Sequence, residues 1–414
     1  MQKIRTSALY IILSAIISAV TASPLKAQPK PWVTVYYAGW EQGWANKGYL
    51  PTQDVDFTAM TVVAHMALSL TGYGTLDFVS NSITPTNSAA LISAAHAVGT
   101  KVIITIGGWN TESRFMGSTS PAYFNTFVSN IVNFVKQREY DGVDVDWEPL
   151  KPADTTQYVR FVKALRAALP SPAYLLTSTA GYGQPYAVFA HVQNLLDQIN
   201  IMTYDLSWPS PGCLTWFNSA VYQDGVTYNS THKAVPACDV IVRHFLDAGV
   251  APSKLGIGAE LAGFVWKGGK IIDADGNPTG NGATGPDQEW EGYLNHFGSP
   301  YAPKVTVDVP LYNFDGKTGI MREYYQPDWY HWDKGAQVGY LSINNPGSDN
   351  DYFISFDDAR SIAAKFAFIK KEHLGGIIIY ELGMGYPGNG TFPLLQSIKA
   401  DMLEARKSPD SSSK

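Results

Sequence analysis

The chain predicts an α/β fold, a (β/α)8 TIM barrel with a small α+β insertion between strand seven and the last helix. Three observations support this. Short β-branched or apolar runs alternate with amphipathic helical stretches, which implies a parallel sheet. Eight such runs can be placed, which suits closure into a barrel. The length of 414 residues exceeds an ordinary domain but suits one barrel carrying an insertion.

Taken in order, 32–38 is strand one and 62–70 is strand two, followed by a helix near 87–98. The run KVIITIG at 101–107 is strand three, with a helix over 122–138. Strand four covers 140–148, with a helix over 155–169. Strand five is 174–179 and strand six is 198–204, followed by a helix within 237–248. Strand seven is 254–260, the last helix 357–373, and the last strand 376–381. The barrel domain is thus expected over 30–404. Residues 261–336 break the rhythm. They are rich in Gly, Asn, Pro and aromatics, with turn pairs such as Asp275-Gly276 and Asp315-Gly316, and read as the insertion. The tail at 408–414 is polar and reads as disordered.

The N-terminus reads as an export signal over 1–27. Lys3 and Arg5 precede an uncharged, mostly apolar run from Ala8 to Val20, and small residues follow, with a cut expected after Ala22 or Ala27. That run is shorter than the ~20 residues a membrane-spanning helix needs. The mature chain is expected to be secreted, extracellular or periplasmic, without a membrane anchor, and a monomer. Charged residues are only 16%, with 36 acids against 30 bases and a net charge of −6. No basic excess exists to neutralise phosphates, which argues against nucleic-acid binding. Aromatics at 13%, including 11 Trp and 24 Tyr, suit a neutral ligand with apolar faces such as a sugar, and equally a large core. Two cysteines, Cys213 and Cys238, are too few for a structural zinc site, and no His spacing suggests a metal enzyme. In an exported chain their pairing is the expectation.

Strand four carries the chemistry. In Asp141-Gly142-Val143-Asp144-Val145-Asp146-Trp147-Glu148, period two puts Asp144, Asp146 and Glu148 on one face and Val143, Val145 and Trp147 on the other. The apolar face belongs under the helices, so the acidic face points into the barrel and climbs toward its C-terminal mouth. Asp141 is out of phase and reads as structural. Three neighbouring, partly buried carboxyls cannot all ionise cheaply, so at least one pKa rises. A Glu of raised pKa is a good general acid.

This D-x-x-D-x-D-x-E stretch resembles the signature of glycoside hydrolase family 18, the retaining chitinases and their relatives. Lys101–Trp109 resembles the family's S-x-G-G motif, with Thr105 in place of Ser. Met202-Thr203-Tyr204-Asp205 matches its M-x-Y-D motif, and Ile354–Leu382 resembles its final helix and strand. The resemblance covers about 32–404. It implies that Glu148 is the general acid and that the substrate's own 2-acetamido carbonyl is the nucleophile. It further implies that Asp146 stabilises the oxazolinium ion, that Asp144 shares a proton or hydrogen bond with Asp146, and that Tyr204 holds the acetamido carbonyl. Asp205, with neighbouring Met202, falls at the same sugar subsite. No metal and no organic cofactor are implied. The partner it implies is chitin or chitooligosaccharides.

Tyr36, Trp40 and Trp109 fall near strand C-ends, where rings can stack on sugars; Trp208, Trp266 and Trp290 are further cleft candidates. Two positions depart from the family pattern. Tyr380 stands where a Trp usually floors the cleaved sugar, and Ala262-Gly263-Phe264 replaces a usual Y-G-R, leaving nearby Glu260 as a substitute sugar-binding group. The expected activity is a secreted chitinase hydrolysing β-1,4 links between N-acetylglucosamine units with retention. The alternatives are an endo-β-N-acetylglucosaminidase acting on N-glycan cores and a non-catalytic chitin-binding lectin.

Overall fold

A computed structural model describes residues 30–207, 215–228, 232–267, 285–286, 304–314, 317–345 and 351–407. The leader at 1–27, Cys213, Trp208, Trp290 and the tail at 408–414 lie outside these residues.

The strands are β1 Trp32–Ala38, β2 Val62–Leu70, β3 Leu76–Asp77, β4 Lys101–Gly108, β5 Gly142–Trp147, β6 Leu175–Ala180, β7 Gln198–Ile201, β8 Leu255–Glu260, β9 Ala262–Lys267, β10 Lys304–Pro310, β11 Tyr330–Asp333, β12 Val338–Ile343, β13 Tyr352–Phe356 and β14 Gly376–Tyr380. Their main helical connections are α1 Pro85–His96, α2 Glu112–Ser118, α3 Phe124–Arg138, α4 Thr155–Ala168, α5 Tyr186–Val192, α6 Cys238–Asp247, α7 Ala359–Lys371 and α8 Pro393–Ala405.

Eight parallel strands close into a barrel in the order β1-β14-β8-β7-β6-β5-β4-β2, with β2 pairing back onto β1. The outward strand faces pack under the helices. On β5 the Trp147 indole stacks on Phe115 of α2 at 4.5 Å and 7° between planes, and meets Tyr158 of α4 edge-on. Helix α4 buries Tyr158, Phe161, Val162 and Leu165, the i, i+3, i+4, i+7 stripe of a helix lying on a sheet. Thr84 caps α1 by accepting from the Asn87 amide, with Pro85 in the first turn. Asp141 has the expected structural part: its Oδ2 accepts from the Val102 amide and lies 2.7 Å from His96 Nε2, tying the start of β5 to β4 and α1.

The insertion forms a second, antiparallel sheet in the order β10-β9-β13-β12-β11. It runs on to Phe356, beyond the expected limit at 336, because β12 and β13 pair into it. Trp266 belongs to its core beside Trp216, Phe217, Phe264 and Phe353, fully buried, so it is not a cleft residue. Three further corrections follow from the helices and the thiol. The stretch between β4 and β5 forms two helices, α2 and α3, rather than one. Helix α7 is not the last, since α8 follows β14 and packs Leu395, Ile398 and Met402 inward. Cys238 is a free thiol, buried in the first turn of α6, where burial pushes its pKa up to about 11.

Candidate active site

Strand β5 builds the acidic ladder. Asp144 is fully buried and accepts three hydroxyl hydrogen bonds. Tyr36 of β1 and Thr105 of β4 donate to Oδ2 at 3.0 and 3.2 Å, and Thr177 of β6 donates to Oδ1 at 2.5 Å. Parallel register supplies these partners, because Thr105 and Thr177 are both opposite Asp144. Burial, and then the Asp146 charge, still push the Asp144 pKa up to about 7. One rung higher, Asp146 Oδ1 accepts from Thr179 at 2.5 Å and the carboxyl bonds to Glu148. Burial, then Glu148, raise Asp146 well above the carboxylate range. Burial also raises Glu148, with Asp205 and Asp144 adding to it. The upper pair therefore holds one proton between two carboxyls at pH values where isolated ones would both be ionised.

The backbone around the ladder is specialised. The Glu148 carbonyl accepts the amides of Thr111 and Glu112 at the start of α2, at 2.9 and 3.0 Å. Gly107 has φ +104°, and a Cβ there would stand 2.1 Å from the Asp146 carbonyl oxygen, so this position of β4 requires glycine.

Tyr204 was expected on a strand, but β7 ends at Ile201 and the chain turns immediately, with Asp205 at φ +56°. The turn lays the buried Tyr204 ring over β8, where a Cβ on Gly258 would come within 2.6 Å of it. Burial raises the phenol pKa well above its ordinary value, so Tyr204 is a neutral donor. Its ring stacks on Tyr380 at 5.5 Å and 21°, and half-buried Met202 packs into the same cluster. Tyr36 needs correction. It is only 2% exposed and its hydroxyl serves Asp144, so it offers no open face to a sugar. Trp109 and Trp40, by contrast, are 70% and 42% exposed just beyond the C-ends of β4 and β1.

Asp205 donates its amide to Asn218 Oδ1 at 2.9 Å, and Asn218 Nδ2 donates to Glu260 Oε2 at 2.5 Å. Burial, then Asp308, raise the Asp205 pKa to about 8. Carboxylate oxygens of Asp205, Glu260 and Asp308 lie within 4.8 Å of one another, a spacing that a cation can bridge.

Sequence reasoning missed the partner hydroxyls of Thr177 and Thr179, the glycine under Tyr204, and Asp308. The T-x-T alternation on β6 was a usable signal for the hydroxyls. Nothing local marked Asp308.

The model for Glycosyl hydrolases family 18 matches residues 33–385. Chitinase A1 of Niallia circulans is 29% identical over 331 residues, covering 73% of this chain and 42% of that protein. Chitinase A of Pseudoalteromonas piscicida is 28% identical over 334 residues, covering 68% of this chain and 37% of that protein. The chain thus spans about two-fifths of the length of these relatives. Among solved structures, the Ostrinia furnacalis Group IV chitinase in complex with allosamidin superposes with a TM-score of 0.68 at 20% identity, covering 91% of this chain and all of that one. A family 18 N-acetylglucosaminidase from Paenibacillus barengoltzii gives 0.67 at 21% identity, covering 90% and 99%.

Proposed function

The chain belongs to glycosyl hydrolase family 18, and from that premise we propose that it hydrolyses β-1,4 links between N-acetylglucosamine units of chitin with retention. The observation that carries this reading is the ladder Asp144–Asp146–Glu148, with a proton shared at its upper end and a neutral phenol beside it.

Glu148, at the mouth of the barrel, protonates the leaving glycosidic oxygen. The acetamido carbonyl oxygen of the cleaved unit attacks its own anomeric carbon and gives an oxazolinium ion. Tyr204 donates to that carbonyl oxygen and holds it near the anomeric carbon. Asp146 turns from Glu148 to the acetamido N–H and balances the positive charge. Asp144 supports Asp146 from below and takes up part of the repulsion. Glu148, now ionised, draws a proton from water, which opens the oxazolinium ion from the same face. Tyr380 floors the sugar, and Trp40 and Trp109 offer open rings to neighbouring units. The intact Glu148 argues against a non-catalytic lectin.

The leader supports release from the cell. Among the described residues no helix is long and apolar enough to cross a membrane.

The decisive experiment is product analysis on chitohexaose beside an N-glycan carrying its chitobiose core. Chitooligosaccharide products with the glycan untouched support the proposal, and their sizes separate endo from exo cutting. Release of the glycan with the hexamer intact would replace chitin by N-glycan cores as the substrate.

A further inference from the structure

Helix α7 buries one stripe, and two of its positions, Ser361 and Lys365 one turn apart, are polar and fully buried. Lys365 forms an ion pair with Asp357, which is also fully buried. Ser361 donates to the other oxygen of that carboxylate at 2.7 Å. Well-packed apolar residues of similar volume often stabilise such a site as much as a buried ion pair does. Stability alone therefore does not account for a lysine here, and the reaction scheme does not use one. The remaining hydrogen bonds of the pair lead to the active site. Lys365 Nζ also donates to Ser219 Oγ at 2.6 Å, and Ser219 Oγ donates to the Thr203 carbonyl at 2.5 Å. An ammonium has donors only, so Ser219 must accept from it, and its single proton is left for Thr203. Thr203 immediately precedes Tyr204. Its own hydroxyl donates to the Gly258 carbonyl at 2.9 Å and accepts from the Gly258 amide at 2.8 Å, under the Tyr204 ring. On the other side of Tyr204, Asn218 accepts the Asp205 amide at 2.9 Å and the Leu206 amide at 3.0 Å. Ser219 and Asn218 thus grip the chain before and after the phenol. Asp357 Oδ2, held by Lys365, accepts the Glu260 amide at 3.1 Å, where β8 ends opposite Tyr380.

Resting on the reading of Tyr204 as the group that holds the acetamido carbonyl, we propose that Lys365 is a positioning residue for the reaction. Its ammonium sets the Ser219 hydroxyl against Thr203 and so fixes the turn that aims the Tyr204 phenol. Through Asp357 it holds the end of β8, against which that ring lies. Lys365 itself never meets the sugar. Its contribution falls on the chemical step. A reacting group misplaced by about 1 Å can lose about a hundredfold in rate, while a hexasaccharide keeps its contacts elsewhere along the cleft.

The test is steady-state kinetics on chitohexaose, with urea denaturation of each protein beside it. Ser219→Ala cuts the chain and leaves the Lys365–Asp357 pair in place. Lys365→Met combined with Asp357→Asn replaces the pair by neutral side chains of similar shape, which should hold the unfolding midpoint near that of the wild type. Each protein is expected to lose more than about tenfold in kcat, with KM within about twofold of the wild type. All three changes together should lower kcat no further, because both variants act through one hydroxyl. In a Tyr204→Phe background, Ser219→Ala should change the residual rate by less than about twofold, since the group it aims is gone. Wild-type kcat in the folded Ser219→Ala protein would overturn the proposal and leave the pair a purely structural one. An equal fall in kcat with and without the Tyr204 hydroxyl would overturn it too. Should the neutral pair fail to fold, Ser219→Ala decides alone by the same criteria. Wild-type turnover by Tyr204→Phe would remove Tyr204 from the scheme and this inference with it, whereas a wild-type protein that leaves chitohexaose uncut would sink the chitin reading and this inference together.

Discussion

Replacing Asp144 with Asn tests whether the floor of the ladder holds a proton. The pKa of Asp144 is about 7, against an ordinary value of 3.8. A carboxyl raised in the folded state contributes its full stability where both states are protonated, below the unfolded value. As pH rises toward 7, the unfolded chain releases the proton and the folded chain does not, so stability falls. Above 7 the contribution is gone. Over about 3 pKa units, at about 1.4 kcal/mol each, Asp144 alone should cost the protein about 4 kcal/mol between mildly acidic and alkaline pH. Asp144→Asn keeps the shape and removes the titration. Its amide oxygen can accept from Tyr36 and Thr105, and the Thr177 hydroxyl can rotate to accept from its NH2. Urea denaturation at a series of pH values is the assay. The wild-type curve should fall more steeply than the variant's by one proton, about 1.4 kcal/mol per pH unit between roughly pH 4 and 7. Glu381 and Asp205, raised to about 7 and about 8, leave both proteins with a residual decline. Parallel curves would refute the argument, because Asp144 would then be ionised in the folded state at acidic pH.

Glu148→Gln should abolish turnover of chitohexaose while calorimetry still detects binding; turnover near the wild-type rate would remove Glu148 from the general-acid role. Gly258→Ala places a methyl 2.6 Å from the Tyr204 ring. It should cost about 1–3 kcal/mol by overpacking and lower kcat more than tenfold, and kinetics at the wild-type level would mean that Tyr204 can move without consequence. Lys365→Ala leaves fully buried Asp357 without its partner, a loss of about 3–5 kcal/mol by chemical denaturation. Adding a second change, Asp357→Asn, should recover part of that, and no recovery would show that packing, rather than charge, sets the cost.

The barrel strands were legible because parallel strands are buried on both faces and read as short apolar runs. KVIITIG and GIIIY need no tertiary knowledge. The ladder was legible for a related reason. Period two separates Asp144, Asp146 and Glu148 from Val143, Val145 and Trp147, and only one arrangement buries the indole. Register was not legible. That Thr105 and Thr177 lie opposite Asp144 depends on pairing between strands far apart in the chain. The end of the insertion was illegible for the same cause. VGYLSI and YFISF read as strands anywhere, and their pattern does not say which sheet they join. Tyr36 misled because nearness to a strand end does not fix exposure: its side chain points inward and ends on a carboxylate. Helix α8 is legible in principle, since Leu395, Ile398 and Met402 stand at helical spacing after Pro393.

The interior positions of the strands also explain how a barrel tolerates this site. A floor of carboxyls needs donors and a roof of aromatic rings needs space, and different strands supply them. Strands β1, β4 and β6 give hydroxyls from Tyr36, Thr105, Thr177 and Thr179. Strand β8 gives Gly256 and Gly258, one facing the Trp32 indole and the other the Tyr204 ring. A hydroxyl on β8 would displace Tyr204, and a glycine at 105 or 177 would strip a donor from Asp144. Residue size and hydrogen-bonding capacity around the barrel are therefore set by one constraint, a protonated acid ladder beneath an aromatic ring. Substitutions at these small and hydroxylated positions should then change catalysis even though none of them touches the substrate.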